Sequence, residues 1–164
     1  MSTGRKCGSC KECCLAFEVP EAGSVPGEWC PHCKVGKTLG CSIYNHRPID
    51  CQVFQCAWLL EDSLLAGSVF ENLSPDDLGI IPIVSRPMLR GRMYPWITLW
   101  FRDWSVLENH DGELEITKHF QELGFVVERF LYNGQPCKGF SPDGMHPNLV
   151  TFLYLQIVGA HSGQ

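Results

Sequence analysis

The chain has 164 residues, which is enough for one domain or for a small domain with an appendage. Its hydrophobic content of 45% can supply a core and excludes wholesale disorder. The 13 Lys and Arg against 18 Asp and Glu give a formal net charge of -5, whereas nucleic-acid-binding domains carry a basic surface.

Residues 1–57 form a cysteine-rich segment that contains nine of the ten cysteines. This segment is also rich in Gly and Pro, and its apolar periodicity is too weak to build a core alone. A bound metal could supply the missing folding free energy, as it does in other small metal-binding domains. We therefore predict a metal-binding module over residues 1–57, packed with a remainder over residues 58–164 into one compact unit.

Two helices are predicted in the second part of the chain. A short one is expected over residues 58–65, ending near Gly67. A longer amphipathic helix is expected over residues 113–123, because Gly124 follows as a suitable C-cap. Residues 149–158 are apolar almost throughout, so their periodicity leaves helix and strand open.

Strands are predicted from short runs of apolar and β-branched residues, over residues 78–84, 96–101 and 125–131. The last strand is followed by a predicted turn at Asn133-Gly134. The expected fold class is therefore α+β, with an irregular, metal-stapled, cysteine-rich amino-terminal module packed on a small β-sheet with two or three helices.

The cysteines lie at spacings typical of metal ligands. The string CGSCKECC at residues 7–14 contains two overlapping CxxC units and one adjacent thiol, and CPHC at residues 30–33 is a third CxxC. Two intervening residues allow a tight turn that brings both sulfurs to one ion, at about 2.3 Å for zinc. The predicted metal ligands are the nine cysteines of the segment: Cys7, Cys10, Cys13, Cys14, Cys30, Cys33, Cys41, Cys51 and Cys56.

The same thiols could form disulfides, but no apolar segment follows the basic start, so we expect a reducing, cytoplasmic location. Eight sulfurs fill two Cys₄ sites, and the ninth is then spare or bridging. Because neighbouring side chains diverge, Cys13 and Cys14 are expected to serve two sites, or one of them to pack. Zn²⁺ is the predicted metal, since an all-thiolate shell holds it without redox chemistry. The alternatives are an iron–sulfur cluster, in electron transfer or as an oxidoreductase component, and storage or trafficking of Zn²⁺ or Cu⁺.

The string CGSCKECC resembles the CxxCxxCC signature of a bacterial family described as a zinc- or iron-chelating domain. The stretch GCSIYNHRPIDCQVFQC at residues 40–56 resembles that family's second signature: a Cys before Ile-Tyr, then Arg-Pro, then Cys and aromatic-x-Cys. The resemblance covers residues 7–58. It implies a metal centre that includes Cys7, Cys10, Cys13, Cys14, Cys41, Cys51 and Cys56.

The resemblance also implies one ligand from the pair Cys30 and Cys33. Cys33 is favoured because it lies closest upstream of Cys41, and Cys30 then looks like an addition. Relatives are labelled as iron–sulfur oxidoreductases or flagellin lysine methylases. The sequence shows no cofactor site that would secure either label, so whether the protein is an enzyme stays open.

Other residues near the cysteines carry weaker signals. Arg47 lies between two predicted ligands and could donate to a thiolate or to a backbone carbonyl, or lie at the surface. His32 and His46 could each replace a cysteine as a nitrogen ligand. Cys137 belongs to neither signature and is expected to pack as an inert thiol.

The sequence assigns no catalytic residue, since it has no phosphate-binding glycine loop before a helix and no nucleophile elbow. Basic and aromatic residues between Arg86 and Phe101 could form a nucleic-acid or anion patch, but we favour a loop followed by a core strand. The net negative charge argues against a nucleic acid as a partner. No apolar run is long enough to span a bilayer, so a membrane is not an expected partner either. A protein partner is left open.

Overall fold

The structure, a computed structural model, describes residues 5, 10–34, 40–60, 62–89, 91–111, 115–135 and 137. Cys7 and residues 149–158, for which predictions were made, lie outside these ranges, as does Arg90. The described part contains seven α-helices and five strands. In chain order these are α1 (Cys13–Ala16), α2 (Ile49–Val53), α3 (Ala57–Leu60), α4 (Asp62–Leu65), α5 (Pro75–Leu78), β1 (Ile80–Ser85), β2 (Met88–Leu89), β3 (Arg92–Met93), β4 (Trp96–Phe101), α6 (Trp104–Asp111), α7 (Glu115–Glu122) and β5 (Val126–Leu131).

A three-stranded mixed sheet in the order β1-β4-β5 forms the centre of the fold. β1 pairs antiparallel with β4, from Ile80 opposite Phe101 to Ser85 opposite Trp96. β5 pairs parallel with β4, with Phe101 in register with Leu131. A parallel pair needs a crossover, which α6 and α7 supply. Pro82 lies in β1, an edge strand, where its missing N–H interrupts no central ladder.

Side chains that alternate along the strands divide the core into two clusters, one on each face of the sheet. The helix-side core contains Leu107 of α6 and Phe120 of α7, and its buried members are Leu65, Phe70, Leu78, Ile80, Ile97, Leu99, Phe101, Leu107, Ile116, Phe120, Val127 and Leu131. The module-side core contains Leu15, Ala16, Ile81 and Tyr132. The cysteine-rich segment therefore packs on the face of the sheet opposite to α6 and α7.

The α+β class is confirmed, with a small mixed sheet and two eight-residue helices, α6 and α7, beside shorter helical turns. The predicted strand at 78–84 begins two residues late, because Leu78 ends the short helix α5. The predicted helix at 58–65 is described as two short pieces, α3 and α4. Within the described ranges, no helix is long and apolar enough to cross a bilayer.

The predicted helix cap at Gly124 and the predicted turn at Gly134 are both confirmed. Gly124 has φ of +84° and closes α7 through its N–H, which donates to the Gln121 carbonyl over 2.9 Å. Gly134 has φ of +80°, and the Asn133 side chain accepts the N–H of Gln135 at 3.0 Å. Left-handed backbone at both positions favours glycine over any residue with a Cβ.

Candidate metal centre

Cys33 and Cys41 lie directly opposite each other in a short antiparallel bridge. The flanking hydrogen bonds run from Lys34 N–H to Gly40 O (2.6 Å) and from Ser42 N–H to His32 O (2.8 Å). This pattern makes Cys33 and Cys41 a non-hydrogen-bonded pair, in which Cα atoms are about 4.5 Å apart and both side chains leave the same face. The backbone alone therefore brings these two thiols together.

Cys14 joins this pair from α1. Its side chain is hydrogen-bonded to the Cys33 thiol, and its carbonyl accepts the N–H of Cys30 at 2.9 Å. The Cys33 N–H in turn donates to the Cys30 carbonyl at 2.8 Å, which closes the CxxC turn. α1 and the turn at residues 30–33 are thus joined through backbone and side chain.

Cys51 approaches from α2 and lies close enough to Cys14, Cys30 and Cys41 for their charges to affect its pKa. Burial and the neighbouring thiols raise its pKa, which the charge of Arg47 partly offsets. We call Cys14, Cys30, Cys33, Cys41 and Cys51 the five-cysteine group. All five are partly exposed.

Burial, followed by the charge of Cys14 and its hydrogen bond, raises the pKa of Cys33 to about 11. A thiol surrounded by other thiols resists ionisation, because each added negative charge repels the next. Lys11 acts in the opposite direction and lowers the pKa of Cys33. Its side chain lies across Gly40, where a Cβ would come within 2.8 Å of Lys11 Cγ.

Cys10, Cys13 and Cys56 are the other predicted ligands among the described residues. Cys56 packs against the module-side core, and Cys10 lies within electrostatic reach of Tyr132 at the edge of that core. Cys13 begins α1 beside Cys14. Because successive residues of a helix point about 100° apart, the two thiols leave α1 in different directions. The predicted divergence of this pair therefore arises from helical backbone geometry.

Arg47 donates to a backbone carbonyl, which is the second of the roles predicted for it. Its Nε donates to the Tyr44 carbonyl at 2.9 Å, and its guanidinium carbon lies 3.8 Å from the centre of the Tyr44 ring. His46 is exposed in the same turn, Tyr44–His46. His32 contributes its backbone carbonyl to Ser42, which donates to it through both N–H and hydroxyl.

Cys137 packs against the helix-side core, on the other face of the sheet from the five-cysteine group. Its N–H donates to the Arg129 carbonyl at 2.7 Å.

Within the basic and aromatic stretch between Arg86 and Phe101, the tryptophans are packed as in a core strand. Trp96 is buried in β4, and Trp100 stacks on Phe130 with ring centres 4.9 Å apart.

A soft metal fits this donor set in chemistry and in backbone placement. Three cysteines meet by direct pairing, and Cys30 and Cys51 lie beside them. Among the described residues, however, no three His, Cys, Asp or Glu side chains are already arranged to hold an ion. Closing a tetrahedral shell therefore requires changes of χ1, the one torsion that positions a cysteine sulfur.

Four residues around the candidate centre were not predicted from the sequence: Lys11, Glu12, Arg102 and Tyr132. Lys11 and Glu12 are neighbours inside CGSCKECC, yet Lys11 turns to the thiols and Glu12 turns to the sheet. Arg102 and Tyr132 directly follow β4 and β5. A polar residue after each of two predicted strands was the available signal, but it required knowledge that the strands are parallel.

Comparison of the whole chain with protein-family models, with curated proteins and with solved structures found no significant match.

Proposed function

We propose that the protein binds metal through thiolates of the five-cysteine group, with Zn²⁺ as the metal. The observation that supports this most is the convergence of four separate stretches of chain on one place. They are α1, the turn at residues 30–33, Cys41 and α2. A protein gains little from gathering thiols that repel one another when ionised, unless a cation neutralises them.

Four thiolates complete a tetrahedral zinc shell, so one member of the group is in excess. Cys33 and Cys41 form its base through their shared bridge, and Cys14 and Cys51 approach from α1 and α2. Cys30 is the fifth thiol and shares the CxxC turn with Cys33. Bound Zn²⁺ would supply a closed structural site with no open coordination position.

The charges around the group also suit a thiolate-bound metal. Four thiolates around Zn²⁺ carry two excess negative charges, and Lys11 and Arg47 are two cations that act on Cys33 and Cys51. The resemblance of residues 7–58 to a metal-chelating family stays a prediction and is in keeping with this role.

Metal analysis tests the proposal directly. Protein purified without oxygen is expected to contain zinc in stoichiometric amount and to have no visible absorption, because Zn²⁺ has a filled d shell. Stoichiometric iron with acid-labile sulfide and a brown colour would replace this proposal by the iron–sulfur alternative. Bound copper would favour trafficking, and absence of any tightly bound metal would contradict metal binding altogether.

The raised pKa values of Cys33 and Cys51 predict strong pH dependence of metal affinity. At neutral pH both thiols keep their protons, so metal must displace them, and the apparent affinity rises with pH towards about 11, the pKa of Cys33. Each displaced proton contributes about tenfold per pH unit. Zinc titrations at pH 6, 7 and 8 in competition with a chelator of known affinity measure this slope. An affinity independent of pH would mean that these thiols are not ligands.

A further inference from the structure

Glu12 lies between Cys10 and Cys13 but belongs to the sheet. Glu12 is only 1% exposed, although charged side chains in such a segment are ordinarily solvated. Its backbone carbonyl starts α1 by accepting the N–H groups of Leu15 and Ala16, each at 3.0 Å. Its side chain does not cap that helix. The carboxylate is instead used for contacts distant in sequence.

Two residues of the second part of the chain hold this carboxylate. Arg102 binds both oxygens, with Nε donating to Oε2 at 3.2 Å and Nη2 donating to Oε1. The Tyr132 hydroxyl donates to Oε2 at 2.6 Å. Burial raises the pKa of Tyr132, so its hydroxyl keeps the proton that it donates. The carboxylate thus accepts three hydrogen bonds, two of them from a guanidinium.

Arg102 and Tyr132 are fixed by the parallel strands that they follow. The Tyr132 N–H donates to the Phe101 carbonyl at 2.8 Å, and the Arg102 N–H donates to the Gly79 carbonyl at 2.9 Å. Gly79 has φ of +69°, and a Cβ there would lie 3.4 Å from the Arg102 side chain. The donors for Glu12 therefore stand on the rigid carboxyl-terminal edge of β4 and β5.

From Glu12 the contacts continue into the five-cysteine group. Cys14 lies two residues further along, and its thiol and carbonyl meet Cys33 and Cys30. We propose that Glu12 is a positioning residue for the metal centre: held by Arg102 and Tyr132, it fixes α1 on the sheet and thereby the approach of Cys14 to Cys33. This inference rests on the proposed metal binding by the same group.

The arrangement requires a carboxylate rather than any polar side chain. Both oxygens accept, and all three facing groups donate. An amide has one acceptor oxygen and an NH₂ group that only donates, so glutamine would turn its NH₂ towards a guanidinium or a hydroxyl and lose at least one bond. Glu12→Gln therefore keeps the size of the side chain while it loosens the attachment of α1.

The test uses the reduced full-length protein with Co²⁺ and Zn²⁺ alone as probes. Glu12→Gln is expected to bind Zn²⁺ about 10- to 100-fold more weakly, the range for residues that orient metal ligands. The ligand-field and thiolate-to-cobalt charge-transfer bands of the Co²⁺ protein are expected to shift, because the Cys14 sulfur is less well positioned. Tyr132→Phe, which removes one hydroxyl and keeps the ring, should produce a smaller change in the same direction.

Glu128→Gln is the matched control. Glu128 is also buried, at 7% exposure, and accepts from the Trp96 indole N–H at 3.0 Å. It lies four residues before Tyr132 along β5, about 13 Å away at the rise of a strand. This variant keeps an acceptor oxygen for the Trp96 indole and is expected to retain the wild-type zinc affinity and cobalt spectrum.

Equal metal affinities and spectra in the two glutamine variants would overturn the positioning role and leave metal binding intact. Absence of charge-transfer bands from the wild-type protein would overturn the proposed function and this inference together. If near-ultraviolet circular dichroism shows that Glu12→Gln has not folded, Tyr132→Phe decides. An unchanged affinity and spectrum in that variant would then count against the inference.

Discussion

Cys51→Ser is expected to lose its bound metal almost completely. Cys51 brings α2 to the other thiols and lies within electrostatic reach of Cys14, Cys30 and Cys41. Removing one of four thiolates forfeits roughly a quarter of the about 10–16 kcal/mol typical of structural zinc sites, or about two to three powers of ten in affinity. Metal-to-protein ratios after dialysis against a weak chelator measure the loss.

The control for this variant is Cys137→Ser, which makes the same chemical change on the opposite face of the sheet. It should keep the wild-type metal content, although loss of a packed thiol can lower stability slightly. Metal depletion in Cys137→Ser would show that the centre extends beyond the five-cysteine group. Full metal retention in Cys51→Ser would remove α2 from the centre.

Cys30→Ser separates the two roles left open for the fifth thiol. If Cys30 is in excess, the variant keeps its metal like Cys137→Ser. If Cys30 completes the shell, the variant loses metal like Cys51→Ser. Its backbone bonds to Cys14 and Cys33 are retained in either case, so a loss of metal can be assigned to the sulfur.

The strands of the sheet could be predicted from the sequence, but the way in which they pair could not. The β4 and β5 runs, Trp96–Phe101 and Val126–Leu131, are mostly apolar and bounded by turn residues, so both strands were expected. Their parallel pairing depends on the crossover through α6, which was not predicted. α6 has a weak apolar stripe, although Asp103 gives a clear start signal: its Oδ1 accepts the N–H groups of Ser105 and Val106 at 2.9 and 3.1 Å.

A similar local signal marks α5. Ser74 and Asp77 form a capping box around Pro75 at the first position of the helix, a pattern that can be recognised in sequence. It was overlooked because α5 is only four residues long and its last residue, Leu78, also begins an apolar run. The predicted strand therefore began too early.

For the candidate site too, local features could be predicted from the sequence, whereas contacts between distant segments could not. Cysteine spacing identifies these thiols as candidate metal ligands, because a CxxC turn is a local structure. Spacing cannot show that Cys14 meets Cys33 while Cys56 packs on the sheet, since both outcomes depend on how distant segments meet. For Glu12 the sequence pattern even misleads, because a charged residue between two predicted ligands is normally expected in solvent.

Metal removal is expected to expose one part of the chain to protease and to leave another protected. Among the described residues from 25 to 56, none is buried, and the apolar attachment of this stretch lies at its end, where Phe54 and Cys56 pack against the module-side core. The bridge between Cys33 and Cys41 and the short α2 provide little stability by themselves. We therefore expect their fixed arrangement to depend on the proposed metal, as in small metal-stapled domains.

Trypsin can report this difference at two places. Lys34 is exposed at the bridge, whereas Arg129 is 8% exposed in β5. Arg47 precedes Pro48 and is a poor site, which simplifies the fragment pattern. After chelation under reducing conditions, cleavage at Lys34 should accelerate by at least about tenfold, because local opening there becomes nearly free. Cleavage at Arg129 should stay slow.

Mass spectrometry of timed digests identifies the fragments, and re-addition of Zn²⁺ should restore the slow rate at Lys34. α1 is expected to remain with the sheet in the metal-free protein, because Leu15 and Ala16 pack in the module-side core and Glu12 is held by Arg102. Unchanged cleavage at Lys34 would refute the idea that metal staples this stretch. Equal acceleration at Lys34 and Arg129 would instead show that the sheet and the cysteine-rich segment unfold together, so that the metal stabilises the whole chain as one cooperative unit.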